Sequence, residues 1–337
     1  MTRIRAIALL SGGLDSILAA KLVLDQGVEV TGLHILTPFS KFTMENAGSS
    51  PAAKVAKEIG IELTVIEVGE EYLEIVKHPK FGYGRGANPC IDCHAYFIKK
   101  AFEVLQERSA HFVITGEVIG QRPMSQRKQA IGQIDRETGI KGLILRPLSA
   151  QLLPETIPEQ KKWVDREKLL AIAGRSRKQQ FELAERLGIK GFSAPAGGCL
   201  LTMEEFGKKV KDLLAHQPDF GLDDAHLLKI SRHFRLSPLA KAVVGKNDPE
   251  NKKIIALARS GDILVYTDNV PGPAALVRGQ ASEDELSKAA GIVAYYVHKS
   301  PGDDVPLILE RIGDNGKREK FSARPLERSV IESLRIK

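Results

Sequence analysis

SGGLDS, residues 11–16, follows the apolar run IRAIALL at residues 4–10. The run reads as a buried strand. From Asp15 to Gln26 the apolar residues Ile17, Leu18, Leu22 and Val23 fall on one helical face. Gly12 and Gly13 therefore stand between a strand and a helix, where glycine lets the backbone come close to a ligand. The helix start offers free N–H groups and the positive end of a dipole, and Ser11 and Ser16 add hydroxyls. The stretch is a phosphate cradle. It is not a Walker A loop, since no Gly-Lys-Ser/Thr follows.

The same alternation continues outward. VEVTGLHIL (28–36), ELTVIEV (62–68), HFVITG (111–116) and GLILRPL (142–148) read as further strands. SSPAAKVAKEIG (49–60) reads as a helix capped by Ser50 with Pro51 in its first turn, and residues 93–108 as another. Strands alternating with helices predict an α/β fold, a doubly wound parallel sheet covered on both faces. Ligands of such sheets lie at the carboxyl ends of the strands, where SGGLDS, LHIL and TGEVIGQ all fall. Residues 165–187 read as a helical hairpin and 203–215 as an amphipathic helix. The Pro/Gly/Asp-rich AHQPDFGLDD (215–224) marks a boundary, giving domains 1–216 and 226–337 with a linker at 217–225. Beyond it DILVYTDNVPGPAALVRG (262–279) predicts strand, turn and strand, SEDELSKAAGIVAYYVHK (282–299) a helix, and PLILERI (306–312) a late strand: a smaller α+β domain.

A chain of 337 residues suits two domains. No stretch reaches the ~18 apolar residues of a membrane span, and the short run after Arg5 is a strand rather than a signal peptide, so a cytoplasmic location and no membrane partner are expected. Lys and Arg total 49 against 42 Asp and Glu, which favours polyanionic partners weakly.

The three cysteines are Cys90 and Cys93 in NPCIDCH, and Cys199 in the glycine-rich APAGGCLLT. An odd number cannot pair off, and a disulfide framework is out of place in a large cytosolic chain. Thiolates suit zinc, with His94 adjacent as a fourth ligand, or an iron–sulfur cluster. Three cysteines on a four-iron cluster would leave one iron open to an exogenous sulfur. A metal-free persulfide resolved as a disulfide uses the same residues.

SGGxDS in this setting resembles the PP-loop of the ATP pyrophosphatases, with their adenine nucleotide alpha-hydrolase-like fold. That resemblance implies cleavage of ATP between its α and β phosphates, with Ser11, Gly12, Gly13 and Ser16 on the leaving pyrophosphate and Asp15 placing Mg2+. VITGEVIGQRPMSQ (113–126) and LILRPL (143–148) resemble the matching segments of tRNA 4-thiouridine synthetases, more closely than those of 2-thiouridylases. The resemblance spans roughly residues 1–200. It implies ATP contacts at His34, Gly116, Glu117 and Gln121, the LHIL strand end offering backbone groups to adenine while the His34 side chain packs rather than catalyses. Several tRNA thiolation enzymes of this type carry Cys-x-x-Cys plus one later cysteine as ligands of a [4Fe–4S] cluster. The resemblance thus makes Asp15, Cys90, Cys93 and Cys199 the catalytic set, with the three cysteines as metal ligands. Within residues 1–337 the resemblance is expected to extend to neither a THUMP-type region nor a rhodanese domain.

Residues 226–337 resemble the RNA-binding domain of the NFACT family (DUF814), through Val244-Gly245-Lys246-Asn247, Asn251, Val270-Pro271-Gly272 and Ala294-Tyr295-Tyr296. The expected phosphate contacts are Lys246, Lys252, Lys253 and Arg278 here, and Arg175, Arg177 and Lys178 in GRSRKQQ (174–180). Together these features predict an ATP-dependent RNA sulfurtransferase, acting on tRNA above all. ATP, Mg2+ and a [4Fe–4S] cluster are its expected cofactors, and its expected partners are RNA and a sulfur donor (sulfide, a desulfurase or a carrier protein). Homodimerisation is left open. An ammonia-using PP-loop ligase and a non-catalytic RNA-binding factor are the rival readings.

Overall fold

The computed structural model of the chain describes residues 3–140, 142–192, 199–298, 304–313 and 317–337. It divides into two compact units, Met1–Thr202 and Met203–Lys337.

In the first unit the order is β1 (Arg5–Leu9), α1 (Leu14–Leu24), β2 (Glu29–Leu36), α2 (Pro51–Glu58), β3 (Leu63–Glu67), α3 (Glu70–Lys77), α4 (Cys90–Glu107), β4 (Phe112–Ile114), α5 (Lys128–Thr138), β5 (Ile144–Leu145), the single turn α6 (Ile157–Gln160) and α7 (Lys178–Arg186). The strands form one parallel sheet, β3-β2-β1-β4-β5. It is buried on both faces, as parallel sheets require. Ala6 and Ala8 of β1 face a core built with Ile17 and Leu18 of α1, while Ile7 between them joins Leu33, Val113 and Ala101, Val104 and Leu105 of α4. Ser50 caps α2 as its sequence predicts, its hydroxyl accepting from the Ala53 N–H at 3.2 Å, with Pro51 at the first position. The chain winds outward from β1 through β2 to β3, then returns to pair β4 on the other side of β1. The reversal leaves a crevice at the carboxyl ends of β1 and β4, where ligands of such sheets bind.

The expected helical hairpin over 165–187 is replaced by a 3-10 turn at Arg166–Lys168, an extended run and α7. Tertiary partners take the backbone of the extended run: Leu170, Ile172 and Gly174 donate to the carbonyls of Pro147, Leu148 and Ile119 at 2.7–2.9 Å. Gly174, at φ +88°, turns the chain into α7.

The second unit contains α8 (Glu204–His216), α9 (Leu222–Leu227), β6 (Arg232–Ser237), β7 (Ala240–Val244), α10 (Asp248–Ala256), β8 (Ile263–Thr267), β9 (Ala274–Gly279), α11 (Glu283–His298), β10 (Val305–Arg311), β11 (Arg318–Ala323) and α12 (Arg328–Leu334). Its sheet is antiparallel, ordered β11-β10-β8-β9-β7-β6. Ala242, Val244, Val265, Ala275 and Val277 pack with Ala289, Ala290 and Val293 of α11. The alternate residues Val243, Leu264 and Leu276 pack with Leu227 and Ile254 on the opposite face. The units divide at residue 202 rather than 216, because α8 is anchored in the second: Asp212 receives Arg235 at 2.6 Å and Lys241 at 3.3 Å. The stretch read as a linker carries the fully buried Phe220 and the buried Asp224. Among the described residues no helix is long and apolar enough to cross a membrane.

Candidate active site

The SGGLDS loop lies in the crevice between β1 and β4. Gly12 has φ +77°, and a Cβ there would strike Pro51 and Ala52 of α2. The Ser16 hydroxyl donates to the Gly13 carbonyl at 2.8 Å and lies 3.3 Å from the Ser11 hydroxyl, so the loop is closed on itself before any ligand arrives. No side chain caps the start of α1. Its first N–H groups are thus available to an anion. Gly116, just past β4, is pressed against this turn: a Cβ would lie 2.5 Å from the Ser16 nitrogen.

Asp15 is held by a chain of amides. Its Oδ2 accepts from Gln121 Nε2 at 2.5 Å, and Gln121 Oε1 accepts from Gln180 Nε2 at 2.7 Å. Gln180 is fully buried. Arg177 stands 3.7 Å from the same carboxylate. Among the described residues Asp15 Oδ1 is buried without a hydrogen-bond partner, and an orphaned carboxylate oxygen suits a cation such as Mg2+. His34 Nδ1 donates to the Leu10 carbonyl at 2.8 Å, while its Nε2 is buried and unpartnered. Burial pushes its pKa down, against the opposing pull of that carbonyl, so the ring is neutral at neutral pH.

The Glu117 side chain is a buried hub, 4% exposed. It accepts from His94 Nδ1 at 2.7 Å, Arg146 Nε at 2.7 Å and Thr115 Oγ1 at 3.1 Å. Arg146 in turn grips Asp135 with both terminal nitrogens, at 2.7 and 3.2 Å. Burial alone would raise the Glu117 carboxyl, but the Arg146 guanidinium and His94 outweigh it and hold the pKa down at about 2, from 4.5. A depressed carboxylate stabilises the fold above its unfolded pKa and loses that contribution as pH falls towards its folded one. The first domain is therefore expected to lose about 3 kcal/mol between pH ~5 and ~2 through this group. Acid unfolding of Glu117→Gln should lack that component, and an acid limb identical to wild type would refute the assignment.

The three thiols gather in the same unit. Cys93 is buried in the first turn of α4, 2.6 Å from the fully buried Tyr72 hydroxyl. Cys90 accepts from Asn88 Nδ2 at 3.0 Å. The segment before α4 is stitched to the one carrying Cys199: Ala87 donates to the Leu201 carbonyl at 3.1 Å, and Gly86 leaves no room for a side chain against that carbonyl. Residues 193–198 of the Cys199 loop lie outside the described residues. Burial pushes the Cys93 thiol well up and the Cys199 thiol up to about 11, and the charges of the other cysteines push the same way. Without a cation both are protonated at neutral pH. Among the described residues no three His, Cys, Asp or Glu side chains are grouped to hold a metal ion. In a four-iron cluster each thiolate binds its own iron. Cys93 is buried and Cys90 and Cys199 are half-buried, and three such sulfurs with hydrogen-bonding neighbours are a donor set of that chemistry.

Residues 1–157 match the family model described as thiamine biosynthesis protein (ThiI), and residues 231–335 match that of the NFACT protein RNA-binding domain. The chain thus carries a segment similar to ThiI followed by one similar to the NFACT RNA-binding domain, each less than half of its length. The tRNA-specific 2-thiouridylase MnmA of Delftia acidovorans is 26% identical over 250 residues, 70% of this chain and 63% of that protein. MnmA of Treponema denticola is 38% identical over 92 residues, 26% of this chain and 25% of that protein. The chain thus spans between a quarter and just under two thirds of these relatives. Among solved structures, the U34-tRNA thiolase NcsA from Methanococcus maripaludis, with its [4Fe–4S] cluster, is similar at 19% identity and a TM-score of 0.35, over 68% of this chain and 71% of that one.

In the NFACT domain, Lys246, Lys252 and Lys253 are exposed, Lys252 paired with Asp248. Arg278 is not a surface contact. It is 8% exposed and bound to Asp224 at 2.7 Å and Asp262 at 2.6 Å, because strand alternation turns it onto the face covered by α9 and α10. Tyr295 and Tyr296 are half-buried, and the Arg232 guanidinium covers the Tyr296 ring at 3.7 Å, which is packing. In the PP-loop domain, Arg175 and Lys178 are exposed, but Arg177 turns to Asp15. Sequence reasoning missed Gln180, Tyr72 and Asn88. Gln180 sits in the GRSRKQQ run, whose charges drew attention away from its amides. Tyr72 and Asn88 carry no local signal.

Proposed function

We propose that the protein is an ATP-dependent tRNA sulfurtransferase that makes thiouridine. The observation that carries this reading is the His94–Glu117 hydrogen bond. It ties the helical turn bearing Cys90 and Cys93 to the residue beside Gly116, which itself abuts Asp15 and Ser16. Activation of a carbonyl by ATP and delivery of sulfur thus share one scaffold. The ThiI match over residues 1–157, the 2-thiouridylase relatives and the NFACT match at 231–335 support it.

In the proposed reaction a uridine carbonyl oxygen, at C2 or C4, attacks the α-phosphorus of ATP. The bond to the β-phosphate oxygen breaks and pyrophosphate leaves. The adenylated carbon then takes a sulfur nucleophile, and AMP departs with the former carbonyl oxygen. Adenylation is needed because AMP leaves readily and hydroxide does not. Ser11, Gly12, Gly13 and Ser16 cradle the pyrophosphate, and Asp15 would hold Mg2+, which when bound supplies positive charge against the developing negative charge. Gly116 brings the backbone of the β4 turn against the nucleotide, Gln121 and Gln180 keep Asp15 oriented, and Arg177 adds positive charge at the same mouth. Cys90, Cys93 and Cys199 would hold a [4Fe–4S] cluster, which when bound supplies an iron site open to exogenous sulfur.

The test begins with iron and acid-labile sulfide on anaerobically purified protein, with its visible spectrum, followed by thiolated nucleosides in tRNA incubated with ATP and sulfide. About four irons per chain and ATP-dependent thiouridine are expected. Thiouridine formed by protein that never takes up iron would replace the cluster with thiol chemistry, and failure to consume ATP with tRNA bound would remove the enzyme reading. Cys199→Ala is expected to lose most of the bound iron and at least ~100-fold of thiolation while still binding ATP. Full activity in that variant would dismiss the cysteine role.

A further inference from the structure

Tyr72 lies on α3 with its side chain fully buried. Its ring is boxed by Phe97, stacked on it at 5.8 Å, by Tyr96 at 5.8 Å and by Phe39 at 6.3 Å. Tyr96 and Phe97 stand three and four positions after Cys93 on α4, so the thiol and both rings share one helix face against Tyr72. Among the described residues the Tyr72 hydroxyl makes one hydrogen bond, to the Cys93 sulfur at 2.6 Å. Cys93 is the buried member of the three cysteines, Cys90 and Cys199 being half-buried. A phenylalanine would fill the same box and bury no hydroxyl. Against a neutral thiol, a weak partner, the buried O–H gains little for the fold. Against a thiolate it makes a charge-assisted bond, roughly twice as strong. Burial, and after it the charges of Cys93, Cys199 and Cys90, push the Tyr72 hydroxyl well up, so it stays a donor beside the sulfurs.

We propose that Tyr72 is a positioning residue for the iron–sulfur cluster: its O–H fixes the Cys93 sulfur and draws electron density from it, making Cys93 the anchored ligand of the three. This role rests on the proposed cluster. A hydrogen bond to a ligand sulfur stabilises the reduced, more electron-rich state and so raises the midpoint potential, and donors behind a ligand slow the loss of its metal.

The test compares full-length wild-type protein, Tyr72→Phe and Tyr96→Phe, each reconstituted anaerobically with iron and sulfide. Tyr72→Phe keeps the ring and removes the donor. Tyr96→Phe removes a hydroxyl from the same aromatic group, one that donates to Glu71 at 3.0 Å rather than to a sulfur. Tyr72→Phe should bind iron, lose it to a chelator about tenfold faster and show a more negative midpoint potential, while Tyr96→Phe matches the wild type. A wild-type release rate and potential in Tyr72→Phe would overturn the role and leave the cluster standing. An equal change in Tyr96→Phe would also overturn it, by assigning the effect to ring packing. Biosynthetic 3-fluorotyrosine puts a stronger donor at the same place and should move the potential up. It decides the case if Tyr72→Phe takes up no iron: a raised potential upholds the role and an unchanged one overturns it. Wild-type protein that takes up no iron would sink the cluster and this role together.

Discussion

Replacing Asp15 with Asn is expected to lower ATP-dependent pyrophosphate release by about 10²–10³-fold, the scale seen when one preorganised charge-stabilising group is removed from a reaction centre. The substitution keeps the size of the side chain and can still accept from Gln121. It removes the negative charge at the one oxygen, Oδ1, that is buried without a partner. Asp15→Ala should be as inactive, because it also releases Gln121 from its 2.5 Å contact. Neither change touches the thiols, so iron content should stay at the wild-type level in both. Pyrophosphate release at the wild-type rate from the Asn variant would mean that the carboxylate does not place the metal. Loss of iron together with activity would mean that the variant had unfolded rather than lost its charge.

Replacing Glu117 with Ala should have the largest effect on stability. Arg146 is 4% exposed and would keep only Asp135 as an ionic partner, and His94 would lose its acceptor. Removing one partner from a buried ion pair costs about 3–5 kcal/mol. The thermal transition of the PP-loop domain should fall by about 10 °C or more, while the NFACT domain, a separate compact unit, should melt as in the wild type. Glu117→Gln should fall between the wild type and Glu117→Ala, since its one amide oxygen can still accept from some of the three donors. A melting temperature unchanged in the Ala variant would show that Arg146 is held by Asp135 alone.

The sequence makes the local elements legible. Ser50 and Pro51 announce the start of α2, and the helices read after SGGLDS and from residue 282 and the strand–turn–strand at 262–279 are all present in the structure, although α1 is buried nearly all round rather than on one face. SGGLDS between a strand and a helix points to the proposed nucleotide loop, and three cysteines at their spacing point to the proposed sulfur chemistry. These are short-range matters: capping, periodicity and turn stereochemistry act over a few residues and leave their pattern in the string.

What only the tertiary structure decides is which distant groups meet. Gln121 and Asp15 are 106 positions apart, and Gln180 and Gln121 are 59 apart. No local pattern pairs them. Packing α7 beside α1 brings them together, and a buried amide must then find a partner. The same rule turns Arg278, read as an RNA contact, into a structural residue: it lies between Asp224 and Asp262 because burial makes pairing obligatory for a charge. Residues 169–174, helical by composition, run extended because the backbone carbonyls of Pro147, Leu148 and Ile119 take their N–H groups. The string therefore determines the loop, the sheet class and the inventory of reactive groups. The folded chain determines their neighbours, since desolvation, which decides whether a charge or amide serves the surface or the core, exists only once the chain has closed around it.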